Sequence, residues 1–275
     1  MNVDAIAHAT RLVASFEEAA LQAGELALAY FRPGEKTSAE ITEKAGGSPV
    51  TEADYAVDTF LKARLVGLLP EAGWLSEESV DSESRLAKDL VLVVDPIDGT
   101  RGFAAGNRIW AIAIALIAQG RPVLGVVHAP ALAETYVAVA RGGARLNGEA
   151  IAVSPRARLD PEARLAGPSR LADDLRRAGL TFALQPRVPS LAMRIVQVAS
   201  GVLDAGLASE NSRDWDIAAA DLILHEAGGC LSCLDGSAPI YNRRDTRHGV
   251  LTAAPAQIHA QINEAARRAI GRQIP

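Results

Sequence analysis

The stretch Val91-Leu92-Val93-Val94-Asp95-Pro96-Ile97-Asp98-Gly99-Thr100 sets two carboxylates at the end of an apolar, mostly β-branched run that reads as a buried strand. Buried charge is costly unless it is paired, so a strand running straight into Asp95 and Asp98 needs something to compensate them. Pro96 lacks the N–H of a sheet ladder and predicts that the strand stops there. Gly99 predicts a tight turn, and the amides of Thr100, Arg101 and Gly102 predict a short helix start suited to an anion. Hard anionic oxygens beside such a helix start suit a magnesium ion and a phosphate together.

Three further acids occupy comparable places. Asp54 is the third residue of a helix predicted to be capped by Thr51; Glu77 begins the Glu77-Glu78-Ser79 run that closes a short apolar strand from Gly73; Asp216 lies in the first turn of a helix predicted to run to Glu226. Read singly, each has a structural explanation: a capping box, a solvated pair of glutamates, a helix dipole. Read together, all stand at element ends, where side chains from distant parts of a chain can meet. Lys44, within the polar, Gly-rich segment Thr37 to Val50, reads as a solvated charge on a loop or hairpin.

The elements that must position these acids follow from periodicity. Val13, Phe16, Ala20, Ala23, Ala27 and Tyr30 form one stripe of a long N-terminal helix, and Val57, Phe60, Leu61, Leu65 and Leu68 form another that ends before Pro70. After Thr100, antiparallel strands are predicted at Ile109 to Ala118, Pro122 to His128, Thr135 to Ala140 and Ile151 to Val153, separated by Gly- and Pro-containing turns. The first of them alternates Ala111, Ala113, Ala115 with Ile112, Ile114, Leu116, giving a small-residue face on which a helix could lie close. His128 reads as a satisfied polar residue at a strand end.

A Pro-punctuated stretch after Ser154 predicts a boundary between subdomains 1–154 and 155–275. Beyond it strands and helices alternate (164–166, 169–178, 180–184, 189–200, 202–207), which argues for a mixed or parallel sheet covered by helices. A strand at 230–234, another at 250–253 and a helix over 255–270 complete the chain.

Composition excludes several classes. With 275 residues, 49% hydrophobic and 22% charged, the chain is long enough for one large core or two packed subdomains. A net charge of −5 leaves no basic footprint for nucleic acid, so an anionic substrate must be held by metal and local dipoles. Asp4 stands where a signal peptide would carry positive charge, and the longest apolar run is too short to cross a membrane, so a cytoplasmic location is expected. Cys230 and Cys233 have no second Cys or His pair at zinc-ligand spacing and read as small core residues.

The motifs Glu77-Glu78-Ser79, Asp95-Pro96-Ile97-Asp98-Gly99-Thr100 and Trp215-Asp216-Ile217-Ala218-Ala219-Ala220, the last followed by Glu226-Ala227-Gly228-Gly229, resemble the signatures of the inositol monophosphatase superfamily. Ser48-Pro49-Val50-Thr51-Glu52-Ala53-Asp54 is similar to its upstream motif. The resemblance implies an α/β (α+β) fold of alternating αβαβα layers, with an antiparallel N-terminal and a mixed C-terminal sheet. It implies magnesium-dependent hydrolysis of a small phosphate monoester, with two or three ions, and a homodimer. By motif, Glu77, Asp95 and the carbonyl of Ile97 would hold one ion, Asp95, Asp98 and Asp216 a second, and Glu77 a third through water. Thr100 and Asp54 would orient and deprotonate the attacking water, the amides of Gly99 and Thr100 would bind phosphate, and no phosphoenzyme is needed.

For the substrate, Arg101-Gly102-Phe103 keeps the base and ring of the bisphosphate-nucleotidase branch but lacks its acid, and Arg194 falls where that branch carries Lys. Two arginines suit a second phosphate. Glu210, shifted by about one position, lies where inositol-phosphate enzymes bind sugar hydroxyls. The leading expectation is a 3'(2'),5'-bisphosphate nucleotidase acting on adenosine 3',5'-bisphosphate, with inositol-1-phosphate, histidinol phosphate and fructose-1,6-bisphosphate as competitors. Haloacid-dehalogenase-type phosphatases also follow a strand with two Asp, but with one residue between them rather than the Pro96-Ile97 pair here. A catalytically silent ligand sensor is disfavoured by intact Glu77, Thr100 and Asp216.

Overall fold

A computed structural model describes residues 3–44 and 47–271. The chain opens with α1 (Val3–Tyr30), whose small buried face (Ala9, Ala19, Ala20, Ala23, Ala27) lets it lie close to the sheet beneath. A two-stranded hairpin, β1 (Ile41–Glu43) and β2 (Pro49–Thr51), leads into α2 (Glu52–Leu68). Then come β3 (Gly73–Ser76), β4 (Leu90–Asp98), the single turn α3 (Thr100–Ala104), and a meander of β5 (Ala111–Ala118), β6 (Arg121–Ala129), β7 (Glu134–Val139), β8 (Ala144–Leu146) and β9 (Glu149–Ala150). The second half runs β10 (Arg164–Ala166), α4 (Ser169–Arg177), β11 (Ala183–Leu184), α5 (Leu191–Ala199), β12 (Ala205–Ala208), α6 (Asp214–Glu226), β13 (Gly229–Cys233), β14 (Leu251–Pro255) and α7 (Ala256–Gly271).

Strands β3 to β9 form one sheet in sequence order, and the second sheet has the order β11-β10-β12-β14-β13. The first is antiparallel except at its edge, where β3 runs parallel to β4. The second is mixed, parallel on the β10 side and antiparallel through β14. Helices α1 and α2 cover the outer face of the first sheet, α5 and α6 fill the space between the sheets, and α4 and α7 cover the far face of the second. The alternation in β5 sorts these layers: Ile112, Ile114 and Leu116 face α1 and α2, whereas Ala111, Ala113 and Ala115 face α6. The approach of α6 is close at Gly125 of β6, where a Cβ would stand 2.7 Å from the carbonyl oxygen of Ala219.

Two expectations fail here. Pro96 does not end β4; the strand runs on to Asp98, with its pairing to β5 interrupted between Asp95 and Asp98, because a bulge accommodates the missing donor. The strand expected at Ile151 to Val153 is instead an extended connection, and Asn147-Gly148, both at positive φ, turn a β8–β9 hairpin just before it. His128 is buried with its Nδ1 2.9 Å from Thr135 Oγ1, as a satisfied polar residue should be. Cys230 and Cys233 are free and half-buried rather than fully in the core. Among the described residues no helix is long and apolar enough to cross a membrane.

Candidate active site

The bulge at the end of β4 separates Asp95 from Asp98 in the ladder with β5. Asp95 is 1% exposed, and its Oδ1 accepts the Ile97 N–H at 3.1 Å. Gly99 follows at φ 95°, where a Cβ would both strain the backbone and press on Ser190 at 3.3 Å. This turn delivers Thr100 to the first position of α3. The helix is held from behind by an aromatic cluster in which Phe103 meets Trp110 edge-on (centroids 4.9 Å apart) and Phe31 (5.6 Å).

Parallel pairing of β3 with β4 aligns Ser76 with Val94, so Glu77 comes off its strand beside Asp95. Asp216 arrives from α6, its Oδ2 accepting the Arg213 N–H at 2.7 Å. The start of α6 is itself fixed: buried Asp214 bonds His248 Nε2 at 2.7 Å and accepts the Asn242 N–H at 2.8 Å. One carboxylate oxygen from each of Glu77, Asp95 and Asp216 lies within 4.8 Å of the others. Three hard oxygen donors at that separation fit a magnesium ion, which takes carboxylates and retains waters.

Asp98 is placed differently. Its Oδ2 accepts both the Ser190 hydroxyl and the Ala192 N–H at 2.6 Å, so it caps α5 and ties the end of β4 to the middle helix layer. Asp54 does two things at once. Its Oδ2 accepts the Thr51 N–H (2.8 Å) and hydroxyl (2.6 Å), the expected cap, while Oδ1 accepts the Thr100 hydroxyl at 3.1 Å. That hydroxyl also lies 2.9 Å from the Ile97 carbonyl, and its single proton serves one acceptor at a time.

Crowding of acids shows in their proton affinities. Burial, then the charges of neighbouring acids, hold Asp95 and Asp216 well above the ordinary carboxylate range. Burial raises Asp54 to about 6 against its hydrogen bonds from Thr51 and Thr100, and raises Asp98 to about 6 against those from Ser190 and Ala192. Glu78 is pushed to about 7, again chiefly by burial.

The stability consequence has a definite sign. A carboxyl raised in the folded state keeps its proton where the unfolded chain has lost it, so stability falls as pH rises from about 4 through the raised values. At about 1.4 kcal/mol per unit, Asp54 alone accounts for a loss of roughly 3 kcal/mol. In chelator, the melting temperature is therefore expected to be lower at pH 8 than at pH 5, and magnesium should restore it at pH 8 far more than at pH 5. A melting temperature that is flat or rising over that range, measured by calorimetry, contradicts the clustering.

The site corrects the reading of two residues. Lys44 is no free surface charge: its Nζ donates to Glu77 Oε1 and Glu78 Oε1, both at 2.7 Å. Burial opposes its charge, but the two carboxylates outweigh that and hold it above its ordinary range. Arg194 does not offer its fork to a ligand; it donates to the carbonyls of Leu207 (2.7 Å) and Val188 (2.8 Å), locking β12 to the segment before α5. Arg101 is exposed beside Thr100, and its Nη2 reaches the Gly47 carbonyl at 3.4 Å. Glu210 is exposed on the segment between β12 and α6. Sequence reasoning assigned no role to Ser190 or Glu78; the one available signal was the adjacency of Glu78 to Glu77.

A fold of alternating helix and sheet layers with an acidic cluster at the end of β4 defines a class, and the comparisons agree with it. The chain belongs to the inositol monophosphatase family, whose model matches residues 9–271, and it is a phosphoric monoester hydrolase. It is 31% identical over 245 residues to the 3'(2'),5'-bisphosphate nucleotidase CysQ of Aggregatibacter actinomycetemcomitans, covering 86% of this chain and 90% of the relative. It is 32% identical over 229 residues to an inositol-1-monophosphatase of Mesorhizobium japonicum, covering 80% and 84%. Among solved structures, the extragenic suppressor protein suhB of Bartonella henselae superposes with a TM-score of 0.81 at 26% identity, covering 94% of this chain and 99% of that one.

Proposed function

We propose that this chain hydrolyses a small phosphate monoester by direct attack of water, with magnesium held by Glu77, Asp95, Asp216, Asp98 and the Ile97 carbonyl. The observation that carries the reading is the convergence of Glu77, Asp95 and Asp216 within 4.8 Å, beside a Thr100 hydroxyl bonded to a buried carboxylate. Bound there, magnesium supplies Lewis acidity, neutralising charge on the phosphoryl group and easing ionisation of the attacking water. The chain does the rest. The Thr100 hydroxyl receives the proton of the water and passes its own to Asp54 Oδ1, while Thr51 keeps Asp54 oriented through Oδ2. The N–H groups of Gly99 and Thr100, at the start of α3, bind phosphoryl oxygens.

The proposed substrate is a nucleoside 3',5'-bisphosphate, adenosine 3',5'-bisphosphate first among them. Exposed Arg101, adjacent to Thr100, supports this by offering a guanidinium to a second phosphate. The likeness to a nucleotidase supports it too. Arg194 is assigned a structural part, since its fork already binds two carbonyls.

Phosphate release across nucleotide, inositol, histidinol and sugar phosphates tests the assignment. Arg101→Ala should raise KM for the bisphosphate by about tenfold, the value of one charge-assisted contact, and leave monophosphates unchanged. Arg194→Ala should lower stability by about 1–3 kcal/mol, the cost of unpaired buried carbonyls, without changing selectivity. Preference for inositol-1-phosphate, lost on Glu210→Ala, favours the inositol reading instead.

A further inference from the structure

We infer that Asp58 is a positioning residue for the metal centre, gripping the two serines that flank Glu77 and Glu78 and so setting Glu77 against Asp95. Asp58 lies one helical turn beyond Asp54 on α2, so both carboxylates leave the same face of the helix. It is 6% exposed; its Oδ1 accepts the Ser76 hydroxyl and its Oδ2 accepts the Ser79 hydroxyl at 2.6 Å. One carboxylate thus spans both ends of the turn that carries the glutamates.

The grip is completed by donors to the same serines. Ser79 Oγ accepts the indole N–H of Trp74 at 3.2 Å, and Ser76 Oγ accepts the Glu78 N–H at 3.4 Å. The sheet holds Glu77 only loosely, through a 3.3 Å bond from its N–H to the Val94 carbonyl. Lys44 holds the two carboxylates from outside at 2.7 Å, and the serine bracket fixes the turn that carries them. Among the described residues Asp58 forms no ion pair; hydroxyls alone hold it. Keeping a buried carboxylate without a cation is costly, and a pair of well-packed apolar residues would fill such a place at lower cost. What Asp58 does that they could not is fix two hydroxyls at once, on either side of Glu77.

This rests on the reading of Glu77 as a metal ligand, and the test separates the two. Magnesium-induced thermal stabilisation and manganese binding by electron paramagnetic resonance are measured on the full chain, alongside phosphate release. For Asp58→Ala the cation midpoint should rise about tenfold, as when a ligand loses its supporting hydrogen bonds, while substrate KM at saturating magnesium stays within about twofold of wild type.

Asp58→Asn keeps one acceptor and must donate to the second hydroxyl, whose own proton then loses its acceptor; its midpoint should rise about threefold, between wild type and Asp58→Ala. If Asp58→Ala does not fold, Asp58→Asn and the double variant Ser76→Ala/Ser79→Ala carry the test, with shifts in the same direction. In a Glu77→Gln background Asp58→Ala should add no further shift. A lowered melting temperature with an unchanged cation midpoint overturns the inference, as does a full additional shift in the Glu77→Gln background. A wild-type chain with no response to either cation removes the metal reading itself, and the inference falls with it.

Discussion

Asp95→Asn is expected to lower kcat by at least about a thousandfold at saturating magnesium, the scale of losing a group that acts only as part of a catalytic unit. Asp95 is almost completely buried, and the charges of Glu77, Asp98, Asp216 and Asp54 all bear on it, so it sits at the centre of the crowded acids. The amide keeps the shape of the carboxylate and can still accept the Ile97 N–H, which preserves the bulge. The same variant should be no less stable than wild type in chelator at pH 8, since it removes one of several crowded like charges, and it should lose the stabilisation by magnesium. This opposite movement of activity and metal-free stability sets a site acid apart from a structural one. Substantial turnover by Asp95→Asn, or a metal-free protein that melts well below wild type, sinks the assignment.

Asp54→Asn should reduce kcat by about a hundredfold to ten-thousandfold, the range for loss of a general base, with little change in KM. Only Oδ2 is spent on the helix cap, and an Asn side chain oriented to accept from Thr51 turns its NH2 toward the Thr100 hydroxyl. That amide donates where Asp54 accepts, so the hydroxyl keeps only the Ile97 carbonyl, which accepts a hydrogen bond but is too weak a base to take the proton. Thr100→Ala should cost about as much, Thr100→Ser little, and the double variant Asp54→Asn/Thr100→Ala no more than either single one, as for residues acting as a unit. Additive losses in the cycle, read from kcat at saturating substrate and metal, break the proposed relay. Asp54 must be ionised to act, so in wild type kcat/KM should rise with pH through its acid limb and lose that limb in Asp54→Asn.

The two-part role of Asp54 shows how far local reasoning reaches. Thr51 and Asp54 sit three apart before an apolar helical stripe, and that spacing is enough to predict the cap, because the partners lie within one turn of each other. The Thr100 hydroxyl on the other oxygen of the same carboxylate comes from a different element, and no local pattern contains it. Pro96 marks the opposite failure. Its missing donor is plain from the residue, but whether a chain ends a strand or bulges there depends on the neighbouring strand, and β5 continues to pair with Asp98.

Lys44 and Arg194 follow the same logic. A lone cation in a polar segment reads as solvated until its partners are known, and the partners of Lys44 are brought to it by the parallel β3–β4 pairing. Arg194 resembled a phosphate ligand by position, yet packing of α5 on β12 put two carbonyls within reach of its fork first.

The sequence by itself determined which segments are helices and strands, where most of them begin and end, and that acids crowd their ends, since propensity, periodicity and capping are set within a few neighbouring residues. Only the tertiary structure decided that Glu77, Asp95 and Asp216 share one space while Asp98 caps α5, that Lys44 bridges two glutamates, and that Asp58 holds the turn carrying them. Those outcomes depend on strand pairing and helix packing between segments far apart in the chain, where distances of a few ångströms choose each side chain's partner.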